Sequence, residues 1–169
     1  MGEVINNTSS NHRFTKIVAS LYNASNTLIG SDFGYADIDI IKPGQRSPFS
    51  VLVIDPPAGI DRYALQLESR ATTEKPLEGF VLVSQGDRDG DIADWHYIYG
   101  EVRNDTGVEV RFVKILATLY NAEGIVVGND YTYTDLSTLT PGQTSPFEIL
   151  VLEWNGATRY ELQVQGMKK

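Results

Sequence analysis

The densest chemistry in this sequence is the stretch Asp87-Arg88-Asp89-Gly90-Asp91-Ile92-Ala93-Asp94. Its four carboxylates, Asp87, Asp89, Asp91 and Asp94, are hard oxygen donors at short spacing, the type of group that holds Ca²⁺. An EF-hand loop needs glycine at its sixth position and a bidentate glutamate at its twelfth. Here Gly90 is fourth and Ile98 is twelfth. The plainer reading is a hairpin loop in which Asp89-Gly90 supplies a turn between two strands. No cofactor is therefore expected, with calcium at these four aspartates as the alternative.

Next in order comes a row of aromatics. Trp95, Tyr97 and Tyr99 alternate with His96, Ile98 and Gly100. The register of Val102 puts the even positions toward a core, so the odd face would carry three rings. Such a row can bind sugars or a protein partner, or it can simply pack against neighbouring structure. Phe33/Tyr35 and Tyr131/Tyr133 form a similar repeated pair, read as edge or loop packing.

The remaining polar residues offer little convergent chemistry. His12 and His96 are the only histidines and lie far apart in the chain, which argues against a metal site or a triad. Gly100-Glu101-Val102 is not a nucleotide fingerprint. The pairs Asp32/Asp37 and Asp130/Asp135 recur together, which suggests scaffold. Asn6, Asn7, Asn23 and Asn104 each begin an Asn-x-Ser/Thr sequon, compatible with a surface location.

The elements that must position these residues follow from two near-identical nonapeptides, KIVASLYNA (Lys16–Ala24) and KILATLYNA (Lys114–Ala122). Ile17, Ala19 and Leu21 alternate with Val18, Ser20 and Tyr22, the period-two pattern of a strand with one buried side. Ile115, Ala117 and Leu119 repeat it. Displaced by 98 residues, the sequence overlays itself from Gly2 to Val53 with about half the positions identical. Gly2-Glu3-Val4 matches Gly100-Glu101-Val102, and Pro43-Gly44-Gln45 matches Pro141-Gly142-Gln143. Past Pro56-Pro57 the offset becomes 97, so Arg62-Tyr63 matches Arg159-Tyr160. This is a tandem duplication of domain-sized units.

Each unit reads as short strands and turns. In the first, strands are expected at Glu3–Asn6, Arg13–Tyr22, Thr27–Asp32, Ser50–Ile54 and Arg62–Glu68, with a type II turn at Lys42–Gln45. In the second, Phe80–Ser84 and Trp95–Val102 are strands flanking a loop over Gln85–Ala93. The sequence predicts an all-β protein of two tandem antiparallel Ig-like β-sandwich domains, 1–69 and 77–169, joined by a polar linker at 70–76. The first unit lacks a counterpart of Phe80–Ser84. Its open edge is expected to pair with a second copy, giving a homodimer, or with residues beyond this chain.

Composition narrows the partners. Net charge is −8, with no basic stripe to neutralise phosphates or anionic lipid. Nucleic acid is not an expected partner. Cysteine is absent, so disulfide and thiolate chemistry are excluded. No apolar run reaches membrane-spanning length, and Met1-Gly2-Glu3-Val4 is strand-like rather than a signal peptide.

With strand and flanks in place, both units resemble FxLYD domains, a prokaryotic Ig-like family often found in tandem. The resemblance rests on Gly-Glu-Val-x-Asn before the long strand, Leu-Tyr at its end and Pro-Gly-Gln-x-Ser-Pro-Phe downstream. Ala19 and Ala117 stand where the motif has Phe, and Asn23 and Asn121 where it has Asp. The resemblance implies an Ig-like sandwich, an extracellular or cell-surface setting and no catalytic residues. The function expected is non-catalytic binding or spacing, engaging a protein partner. The alternative is a carbohydrate-binding module using Trp95, Tyr97 and Tyr99 with calcium in the 87–94 loop.

Overall fold

The computed structural model describes residues 1–93 and 95–169. The chain divides into two compact units, Met1–Lys75 and Pro76–Lys169. Both are built from antiparallel strands, and the described residues contain no helix.

In the first unit the order is β1 (Gly2–Ile5), β2 (Asn11–Tyr22), β3 (Leu28–Tyr35), β4 (Ile40–Ile41), β5 (Arg46–Phe49) and β6 (Arg62–Thr72). β2 is central in one sheet, bonded to β3, β4 and β6, while β1 and β5 pair in a second. In the second unit the order is β7 (Phe80–Asp89), β8 (His96–Asn104), β9 (Val110–Tyr120), β10 (Val126–Tyr133), β11 (Thr138–Leu139), β12 (Thr144–Val151) and β13 (Arg159–Lys168). β9 bonds β10, β11 and β13, and a facing sheet runs β12-β8-β7.

The repeated nonapeptides lie at the centre of β2 and β9, as expected. Their period-two faces decide the core. Ile17, Ala19 and Leu21 are buried in the first unit, and Ile115, Ala117 and Leu119 in the second. Against the latter stand Ile98, Val102, Phe147, Ile149 and Val151 from the facing sheet. The opposite face of β9 was expected to be mixed and solvated. Instead Leu116, Thr118 and Tyr120 are also buried, and the Arg159 guanidinium lies 3.8 Å from the Tyr120 ring centroid.

An asparagine closes each unit in the same way. Asn104 Nδ2 donates to Val108 O at 2.8 Å and Leu139 O at 2.9 Å, and its Oδ1 accepts from Thr106 N at 3.0 Å and Thr106 Oγ1 at 2.7 Å. Asn6 makes the equivalent four bonds to Ser10, Ile41 and Thr8. These are two of the four sequon asparagines. Both are buried with every amide position occupied, so in the folded units they are scaffold rather than glycan acceptors.

Three segments differ from expectation. Ser50–Ile54, expected as a strand, lies outside any strand. β5 stops at Phe49, which pairs with Gly2, the first residue of β1. In the second unit the corresponding stretch of β12 continues because Tyr97, Ile98 and Tyr99 are present to receive it. β7 runs through Asp89 instead of giving way to a loop at Gln85, since β8 offers a ladder partner as far as His96. β6 continues to Thr72, into the segment expected as linker, because Asn11 and His12 pair with Thr72 and Ala71.

The duplication also exposes one polar mismatch. Thr15 is buried, and its Oγ1 finds no partner among the described residues. The matching position is Val113, buried with a methyl in place of the hydroxyl. Thr15→Val removes a desolvated hydroxyl at nearly constant volume and should stabilise the protein by about 1 kcal/mol. Asn104→Ala strands two backbone carbonyls and two donors and should cost about 3 kcal/mol. Denaturant melts of both variants check this, and a destabilised Thr15→Val would contradict it.

Candidate functional site

Three places hold the residues with chemical potential. The first is the β7–β8 hairpin. Pairing sets Asp87 opposite Ile98 and Asp89 opposite His96, so the two carboxylates, both exposed at the end of the hairpin, share the face of His96 and Ile98. His96 is buried between the carboxylates: Nε2 is 2.7 Å from Asp87 Oδ2 and Nδ1 is 3.1 Å from Asp89 Oδ1. Its ring stacks on Trp154 at 3.7 Å between centroids, with the planes 26° apart. A neutral imidazole has one N–H, so it donates to one carboxylate, and both contacts donate only in the imidazolium.

Two of the four candidate calcium ligands, Asp87 and Asp89, thus converge on a histidine rather than on a common cation position. Asp91 is exposed in the connecting turn, and Asp94 lies outside the described residues. Among the described residues, no group of three or more His, Cys, Asp or Glu side chains is placed to hold a metal ion. The turn is closed by Gly90 N donating to Trp95 O at 2.9 Å and Trp95 N to Ile92 O at 3.1 Å.

Asp87 also faces Tyr160. Burial first, then the Asp87 charge and a hydrogen bond to it, and then Tyr99, push the Tyr160 phenol above its ordinary value. The sequence placed His96 alone, without a partner. The partners come from i−7 and i−9 across the hairpin and from a residue 58 positions later, separations that no local motif encodes.

The second place is the aromatic row. The even residues His96, Ile98 and Gly100 do face the core, as the register implied. Of the odd ones, Trp95 and Tyr97 are half-buried and Tyr99 is exposed. The Arg88 guanidinium covers Tyr97 at 4.0 Å from its centroid, so the row is not an open platform of three rings.

The third place is repeated in both units, where the residue pattern alone suggested edge or loop packing. Register sets Tyr35 opposite Lys16 and Phe33 opposite Val18, on the outer side of the sheet. Phe33 and Tyr35 meet edge to face at 6.0 Å, with Lys16 Nζ 4.2 Å from the Phe33 centroid. Tyr131 and Tyr133 meet at 6.0 Å, with Lys114 Nζ 4.1 Å from Tyr131. All four rings are exposed.

Near the start of each central strand stands Phe14 or Phe112, 56% and 57% exposed, at φ of 52° and 50°. A bulky residue in the left-handed region is strained. The strain arises at a register shift between Arg13 and Lys16, where β2 bulges against β6. Arg13 and Arg111 lie over the two rings, at 4.2 and 5.3 Å.

The recurring aspartates belong to the scaffold. Asp32 and Asp130 each accept from the following backbone N–H at 2.8 Å, and burial pushes the Asp130 carboxyl up. The backbone N–H groups of Asp37 and Asp135 donate to Pro48 O and Pro146 O. His12 Nδ1 lies 2.8 Å from Ser69 Oγ.

No family model matches this chain, and no curated protein matches it either.

Tyr160 gives a pH prediction. Below about pH 10 the phenol is neutral in both folded and unfolded chains. Above that the unfolded chain releases the proton first, so stability falls as pH rises toward the raised folded value. Tyr160→Phe should flatten this alkaline loss in melts recorded from pH 9 to 11; an unchanged slope would rule it out. Millimolar calcium is expected to leave the melting temperature unchanged, because Asp87 and Asp89 are already engaged by His96.

Proposed function

We propose that this chain is a non-catalytic binding or spacer module of a cell-surface or secreted protein, formed by two Ig-like domains of the FxLYD type. Its surfaces engage a protein partner. The observation that carries this reading is the duplicated outer face: Phe14, Lys16, Phe33 and Tyr35 in one unit, and Phe112, Lys114, Tyr131 and Tyr133 in the other. Exposed aromatics gain little for folding, and a phenylalanine at positive φ opposes it. Both features are nonetheless present twice with nearly the same geometry.

Aromatic rings beside a cation match the chemistry of protein interface anchors. Edge-to-face rings standing upright from a strand present edges and corners to a partner, whereas a sugar ring stacks on an open ring face. Net negative charge and the absence of a basic stripe leave nucleic acid an unsuited partner.

Phe14→Asn with Phe112→Asn provides the test. Asparagine tolerates the left-handed region, so folding should hold or improve slightly. Proteins recovered by the full chain from surface extracts of its source should be lost with the double variant. Recovery of the same proteins by both forms would overturn the reading.

A further inference from the structure

β3 and β10 combine the features that make an edge strand associate. Among the described residues each ladders on one side only, β3 with β2 and β10 with β9. Each is 8 residues long. Each displays two exposed rings on its outer side, Phe33 and Tyr35 or Tyr131 and Tyr133. An unpaired ladder edge bearing such residues is a template for another chain.

The inner side of each strand carries the opposite kind of residue. Asp32 pairs with Ala19 and Asp130 with Ala117, and both alanines are buried on the core face. Ladder partners share a face, so the two carboxylates point inward. Both aspartates are half-buried. Each accepts the following backbone N–H, of Phe33 or Tyr131, at 2.8 Å, which holds the carboxylate against its own strand. Alanine is the smallest residue of each inner row, Ile17-Ala19-Leu21 and Ile115-Ala117-Leu119, so the pairing leaves the carboxylate room.

We propose that Asp32 and Asp130 are edge guards: an inward-pointing charge on each edge strand keeps β3 and β10 from pairing with another copy of this chain while their outer rings stay accessible. A strand laid along β10 would set its own side chains beside Asp130 and strip water from the carboxylate. A charge that loses water without gaining a partner opposes the contact. Inward charges are one of the ways in which sheet edges are kept single.

Two further observations fit a guard better than a support. In β10 the charge opposes folding rather than aiding it, since burial holds the Asp130 carboxyl above its ordinary value. In β3 the aspartate stands in the half of the strand that needs it. Beyond it the main chain already approaches, because a Cβ on Gly34 would lie 2.1 Å from the Ser50 carbonyl oxygen.

The test compares the full chain with its Asp32→Ala/Asp130→Ala variant by sedimentation velocity over a concentration series, with amide hydrogen exchange to locate the contact. The variant should self-associate at a concentration lower by roughly tenfold or more, with new protection at amides of β3 and β10. Asp32→Asn/Asp130→Asn keeps an oxygen for each N–H and removes only the charge. It should self-associate in the same way, whatever alanine does to folding. Two results would overturn the proposal: an asparagine variant no more associated than the parent, or association that leaves the amides of β3 and β10 unprotected. The guard role does not depend on the outer rings engaging a partner. These measurements read contact between copies of the chain and not capture of other proteins, so their failure leaves that reading standing.

Discussion

The apolar inner face of the central strand is the constraint from which the rest follows. Ile17, Ala19 and Leu21 on β2, and Ile115, Ala117 and Leu119 on β9, leave water only if a second sheet lies over them. In the second unit that sheet has three strands, and its core residues are almost fully excluded from solvent. In the first it has two, and the shortage propagates. β5 ends where β1 begins, Leu52 and Ile54 stand in solvent, and the inner side of β6 is uncovered. One sequence pattern written twice thus gives two different cores.

Polar side chains take the places where backbone groups would otherwise be stranded. Asn6 and Asn104 each reach one carbonyl four residues on, Ser10 O or Val108 O, and one 35 residues away, Ile41 O or Leu139 O, and so tie the loop to β4 or β11. Gln45 and Gln143 Oε1 accept from the backbone N–H of Lys42 and Thr140, bracing the Pro-Gly turns. Ser47 and Ser145 Oγ accept from Ile38 and Leu136 N–H. These residues recur in both units, where the same orphan groups arise.

Much of the fold was legible before any coordinates. The long strands, the Pro-Gly turns and the even-inward register of His96, Ile98 and Gly100 depend on short-range alternation and turn chemistry, which a linear reading captures. Ser50–Ile54 shows the failure: its Val-Leu-Val alternation is strand-like, yet it lies outside any strand, because β1, the ladder partner of β5, reaches only as far as Gly2 opposite Phe49. The site was less legible. Asp87 and Asp89 suggested a cation because their spacing is local, but the partner that satisfies them, His96, lies across a hairpin, and the ring that supports it, Trp154, on a distant loop. The exposure of Phe14 and Phe112 was invisible as well, since it comes from a bulge created by pairing with β6 and β13.

By itself the sequence determined that the chain is antiparallel β, that it is duplicated, and which face of each central strand turns inward. Those properties depend on alternation and on repeated residues, both carried within a short stretch of chain. Only the tertiary structure decided which carboxylates meet which histidine, which aromatics stand in solvent, and where β5 and β7 end. These depend on which strands stand side by side, a matter of long-range pairing that no local spacing contains.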